Sequence, residues 1–231
     1  MAAGFVAGVL DCENWCQAPG FTIRDGLRYW LCPVWVVVLI LASKSPQRRA
    51  ILTAIGLEFR VLVSGFVETE RGADPVALAT ANAAGKARDV VTRPEVASGD
   101  VVLGVDTVVI VDGHSLGTPD TEEETQAMLT SLSGREHAVV SALCLLSENG
   151  EFAQTAQTLV RFRDLSAREV SENVKTGEWR GRAGGYAIQG AGMALVSEIH
   201  GEYSNVVGLP VSALLQGLST LGAQVSGVGP T

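Results

Sequence analysis

At 231 residues and 47% hydrophobic content, the chain can bury one substantial core, and a single large domain is the natural expectation. A formal net charge of −8 excludes the basic surface with which a nucleic-acid scaffold neutralises phosphates. Four cysteines are too few for a disulfide framework in a chain this long, and with scattered histidines (His114, His137, His200) they make no metal-ligand pattern, so a reducing cytoplasm is expected.

Arg24 and Arg28 precede an uncharged run from Tyr29 to Ser43 that ends in "LAS", which has the layout of a signal peptide. The other reading is a buried strand, because "VVVLILAS" is β-branched, of strand length and too short to span a membrane. The strand is favoured, since a cut at Ala42 would sever the polar residues that follow from their support. Residues 1–36 hold three of the four cysteines and three of the four tryptophans without any sustained period. They read as an extension outside the domain, such as an upstream start codon would produce. The domain is expected over 37–222, with a frayed, Gly-rich tail over 223–231.

Ser45 suits an N-cap and Pro46 the first helical position. The helix that follows carries Ala50, Ile51, Ala54 and Ile55 on one side and stops at Gly56. Its first turn holds Arg48 and Arg49, where the helix dipole favours acids. An anion resolves the misfit: backbone N–H groups, two hydroxyls and two guanidiniums make a phosphate site. "LEFRVLVSGF" alternates like a strand. Asp74 and Pro75 open a second helix through "VALATANAAGKARDVV", and "VVLGVDTVVIVDG" is a central strand closed by an Asp-Gly turn. Thr121 and Glu124 form a capping box for a third helix ending at "SLSG". Two strands joined by Asn149-Gly150 come next, then a capping box of Ser166 and Glu169 before a short helix. A glycine-rich loop, the strand "ALVSEI" and a helix entered at Pro210 complete an α/β chain with a mixed sheet.

Asp106 interrupts an apolar strand, where an ionised carboxylate is costly unless paired or metal-bound. It reads as functional, against the alternative of an Asp satisfied by local N–H groups. Lys86 and Glu68 carry little weight alone, a solvated lysine being the ordinary case. Six glycines in the sixteen residues from Gly177 to Gly192 imply close backbone approach, and Gln189 among them offers an amide suited to the edge of a base. No P-loop, Rossmann fingerprint or G-x-S-x-G elbow is present.

Five stretches, in order, resemble the Maf family of nucleoside triphosphate pyrophosphatases: "LASKSPQRRAIL", "ANAAGKA", "GVDTVV", "LGTPDTEEETQAMLTSLSGREHAV" and "GEWRGRAGGYAIQG", with "GEYSNVVGLP" completing the set. The resemblance implies a twisted mixed sheet flanked by helices, ITPase-like, with a nucleotide cleft. It further implies Mg²⁺-dependent hydrolysis of a nucleoside triphosphate to the monophosphate and pyrophosphate, as house-cleaning of nucleotide pools. Asp106 then matches the proton acceptor and a metal ligand. Ser43, Arg48 and Lys86 match phosphate ligands, and Glu68 supports the metal. Arg49, Thr107 and Gln189 match the marks of the branch acting on dTTP and UTP.

Two departures stand out: the GKP lysine is Thr118 here, and the lysine before AG-x-Y is Arg182, which keeps the charge but changes its geometry. The expected partner is the nucleotide, without nucleic acid or membrane, and a homodimer is left open. The competing readings are a non-catalytic nucleotide-binding regulator of cell division and a sister branch acting on methylated GTP.

Overall fold

The computed structural model describes residues 37–69 and 74–225, all within one compact unit. Among them, seven strands form one mixed sheet: β1 (Leu39–Leu41), β2 (Phe59–Val61), β3 (Val101–Val111), β4 (His114–Leu116), β5 (Glu136–Ser147), β6 (Gly150–Phe162) and β7 (Val196–His200). Their order is β2-β1-β3-β5-β6-β7, with β4 paired to β3; β1 lies parallel to β2 and β3, and every other pair is antiparallel. The helices are α1 (Pro46–Ala54), α2 (Pro75–Val91), α3 (Glu122–Leu132), α4 (Ala167–Lys175), α5 (Tyr203–Val207) and α6 (Val211–Thr220).

The break between β1 and α1 positions the site. Leu39, Ile40 and Leu41 are fully buried and pair with Val101, Val102 and Leu103. Ala42 makes the last rung, donating to Leu103 O at 2.9 Å, and the chain then turns into α1 while β3 runs on to Val111. β4 covers only Val109–Val111, so Gly104–Val108 has β5 on one side and an open edge on the other. Ligands of α/β sheets favour such places, beyond the carboxyl end of a parallel strand.

Each face of β3 then meets a different helix layer. Leu103 and Val105 join Leu39, Leu41, Leu52 of α1 and Leu214 of α6 in one core cluster. Val102 faces the other way, with Ile40 and Cys144, onto the small side chains Ala79, Ala83 and Ala87 of α2. Gly104 allows that helix to lie very close, since a Cβ there would fall 2.1 Å from Ala83 O. The close approach lets the longer α2 side chains Asn82 and Lys86 reach the strand. A third cluster, around Leu129, Leu132, Phe162 and Trp179, fills the distal end.

Several expectations are corrected. The buried face of α1 is Arg48, Ile51 and Leu52, while Ala50 and Ala54 are exposed, because Arg48 is drawn inward. "LEFRVLVSGF" yields only the three residues of β2. Thr121 caps α3, but Glu124 Oε2 accepts from Asp120 N at 2.8 Å rather than from Thr121, so that capping box is half made, whereas Ser166 and Glu169 complete theirs. The β5–β6 loop is Glu148–Asn149, with Gly150 (φ 133°) opening β6. Asp112 (φ 50°) and Gly113 (φ 77°) form a tight turn of the kind hairpins favour, and it leads into β4. The short α5 has no counterpart in the expected elements. The tail is packed at its start: Ala223 rests on the core, and Val225, 8% exposed, bridges Val37. The expected extension over 1–36, most of the signal-peptide run and residues 226–231 lie outside the described residues, while Leu39–Leu41 form an interior strand.

Candidate active site

A cleft of about 740 Å³ opens at the free edge of β3. Its lining includes Ser43, Arg48, Glu68, Lys86, Asp106, Thr107, Arg182 and Gln189, as well as Thr118. Of the residues singled out in the sequence, Arg49 is the exception: it is exposed and outside the lining, about 100° round α1 from Arg48.

Arg48 explains the positive charge in the first turn of α1. Its Nε donates to Gly208 O (2.9 Å), Nη1 to Ser43 Oγ (3.0 Å) and Nη2 to Thr107 Oγ1 (3.2 Å). One guanidinium therefore ties the β1–α1 turn, β3 and the end of α5 together, and it also borders the cleft. Burial pulls its pKa down from the ordinary value, and the nearby carboxylates of Asp106 and Glu68 oppose that pull. The Thr107 hydroxyl is committed as well, bonding Ser141 Oγ at 2.9 Å besides accepting from Arg48. Ser141 in turn reaches Asn205 O at 3.4 Å. Asn205 fastens α5 to the sheet through Val139 O, Ala156 O and Thr158 Oγ1.

On the other face of β3, Asp106 is 7% exposed and fully engaged. Its Oδ1 meets Lys86 Nζ at 2.7 Å and its Oδ2 accepts from Asn82 Nδ2 at 3.2 Å. Lys86 is no solvated lysine: it is buried, donates to Val105 O (3.3 Å) on the unpaired edge and also contacts Glu68 Oε1 at 3.0 Å. Glu68 and Asp106 therefore converge on one point, which the ammonium occupies. Among the described residues no further acidic, histidine or cysteine side chain joins them. Two carboxylates fit a small hard cation that keeps waters and takes its remaining ligands from phosphate oxygens.

The third wall comes from the glycine-rich loop. Arg182 Nε donates to Glu178 O (2.7 Å), and Gln47, with its amide oxygen turned toward the donors, accepts from both Arg182 Nη atoms (3.0 and 3.2 Å). This joins the loop to α1 across the cleft. Arg180 stacks 4.6 Å over the Trp179 ring and lines the same wall as Arg182. Ala191 N donates to Glu178 Oε2 (2.7 Å), fixing the turn that carries Gln189, which is itself exposed to the cleft. Beneath the loop, Tyr186 shares a hydrogen bond with His137 Nε2 at 2.8 Å; burial raises the phenol pKa and lowers that of the imidazole to about 4.

Sequence reasoning missed Asn82, Gln47, Ser141 and Glu178. Asn82 had a signal, since it stands one helical turn before Lys86 and shares its face. The other three act through partners distant in sequence and had none.

Fold and cleft together define an α/β protein with a mixed-charge site on the open edge of its central strand. The chain belongs to the Maf family: the family model described as Maf-like protein matches residues 38–221. A dTTP/UTP pyrophosphatase of Deinococcus radiodurans is 40% identical over 190 residues, covering 82% of this chain and 96% of the relative. One from Symbiobacterium thermophilum is 42% identical over 185 residues, covering 80% and 94%. Among solved structures, a HAM1 protein from Coxiella burnetii is 16% identical with a TM-score of 0.42, over 80% of this chain and 98% of that one.

Proposed function

We propose that the protein hydrolyses a nucleoside triphosphate, dTTP or UTP, to the monophosphate and pyrophosphate, and so clears such nucleotides from the pool. The observation that carries this reading is the division of the cleft. Buried cations (Arg48, Lys86) and Arg182 face two convergent carboxylates, while the uncharged Gln189 amide stands on the loop wall. Relatives about 40% identical over four-fifths of the chain, named as dTTP/UTP pyrophosphatases, support the same reaction.

In the mechanism, Ser43, Arg48, Lys86 and Arg182 hold the triphosphate and neutralise charge that grows on the departing pyrophosphate. Asp106 orients a water at the α-phosphorus and accepts its proton. The water oxygen forms the new P–O bond as the bond to the bridging oxygen of the β-phosphate breaks, and the electron pair leaves with pyrophosphate. Glu68 and Asp106 would hold Mg²⁺, which would supply Lewis-acid polarisation of the phosphate oxygens. Gln189 reads the pyrimidine edge with its donor and acceptor. The cytoplasm, where the triphosphates are, is the matching compartment.

The test is a panel of triphosphates with Mg²⁺, read as pyrophosphate release. Turnover of dTTP and UTP above ATP and GTP is expected. Binding without release would favour a regulator, and preference for methylated GTP the sister branch.

A further inference from the structure

We infer that Asn82 is a positioning residue that sets the gap between Glu68 and Asp106. The inference rests on the cation assignment made for those two carboxylates. Asn82 is 5% exposed on α2, and its amide is saturated. Nδ2 gives one hydrogen to Thr69 O (3.1 Å) and the other to Asp106 Oδ2 (3.2 Å), while Oδ1 accepts from Thr69 N (3.0 Å). The double bond to Thr69 copies a rung of a β-ladder in a segment that belongs to no strand. It holds the backbone next to Glu68, whose own side chain is 50% exposed and is not fixed by burial.

Two α2 side chains thus bridge the same two elements. Lys86 joins Glu68 to Asp106 Oδ1, and Asn82, four positions earlier, joins Thr69 to Asp106 Oδ2. The bridges differ in what survives loading. A divalent cation held by Glu68 and Asp106 would repel the Lys86 ammonium and loosen the lysine bridge. The amide bridge is uncharged and persists. Only an amide can make it: a carboxylate cannot donate to Asp106, and an apolar side chain leaves Thr69 N–H, Thr69 C=O and Asp106 Oδ2 short of partners.

Mn²⁺ is the probe, titrated by electron paramagnetic resonance against the full chain holding α,β-imido-dUTP, which cannot be cleaved. Asn82→Ala is expected to weaken Mn²⁺ binding by about 10- to 100-fold, as loss of an outer partner of a metal ligand does. Binding of the analogue in EDTA should stay within about twofold of wild type. Because Asn82 acts on the spacing of the Glu68–Asp106 pair, the double variant Asn82→Ala/Glu68→Gln should lose less Mn²⁺ affinity than the two single losses combined. Unchanged Mn²⁺ affinity in Asn82→Ala, or losses that add in the double variant, would overturn the inference. Should Asn82→Ala fail to fold, Asn82→Ser keeps a hydroxyl in the buried space without reaching Thr69, and carries the same expectation. Wild type that binds no Mn²⁺ beside the analogue sinks the cation assignment itself, and this inference with it.

Discussion

Lys86 Nζ stands 2.7 Å from Asp106 Oδ1, and both side chains are buried. Each charge offsets the burial of the other, because an unpaired buried ion is strongly destabilising, and Glu68 gives the lysine a second partner. The pair thus places an ion pair inside an apolar strand, at the one stretch of β3 that β1 and β4 leave open. Asp106→Asn should retain the fold, since Glu68 stays within 3.0 Å of the lysine, and should retain nucleotide binding. Turnover should fall on the order of 10²-fold or more, because an amide does not accept the water proton. Near-normal pyrophosphate release by the variant would remove Asp106 from the mechanism.

Gln189 sits on a turn held by Glu178 through Ala191 N, with its side chain exposed to the cleft. Gln189→Ala should reduce the preference for dTTP and UTP over purine triphosphates by about tenfold or more, since hydrogen-bonded edges discriminate strongly. The comparison is of kcat/KM ratios across the panel. An unchanged ratio would move base reading to another part of the wall.

The legibility of this molecule divides along a physical line. Features encoded in a few neighbouring residues were readable: the Ser45-Pro46 and Asp74-Pro75 helix starts, the Ser166–Glu169 capping box and the odd carboxylate at 106. The fate of a side chain that depends on a distant partner was not. Arg48 and Arg49 look alike in sequence, and only Gly208 O and Thr107, 160 and 59 residues away, make one of them internal. Lys86 passes for a surface lysine until Gly104 lets α2 settle onto β3. The three-residue β2 and the five-residue α5 are too short for any period to mark them.

Thr118 lines the same cleft as Arg180 and Arg182, at the position where the resemblance expects a lysine. Thr118→Lys should raise kcat by adding a cation that meets charge on the leaving pyrophosphate, without altering the order of substrates. Steady-state rates on dTTP, UTP, ATP and GTP check both parts. A variant no faster than wild type would show that the two arginines already saturate that need.

Stability should carry its own pH signature through His137. The ring is 2% exposed, sits edge-on to Phe162 and Tyr186, and has no partner for Nδ1 among the described residues. Burial lowers its pKa from 6.5 to about 4, so between those values the unfolded chain binds a proton that the folded one refuses. Its contribution is therefore fully present above pH 6.5, declines as pH falls, and is gone below about 4. The span is on the order of 3 kcal/mol at 1.36 kcal/mol per pKa unit. Glu169, held near 2 by Ser166 and then Arg163, loses its own contribution only as pH falls from about 4.5, and it does so equally in wild type and His137→Gln, so the difference between them cancels it. Urea unfolding of wild type and His137→Gln should show wild type the more stable at pH 7.5, and the gap should narrow steadily toward pH 4.5. A gap independent of pH would mean that the folded protein accommodates the imidazolium, and that the buried ring is not the acid-sensitive point of this core.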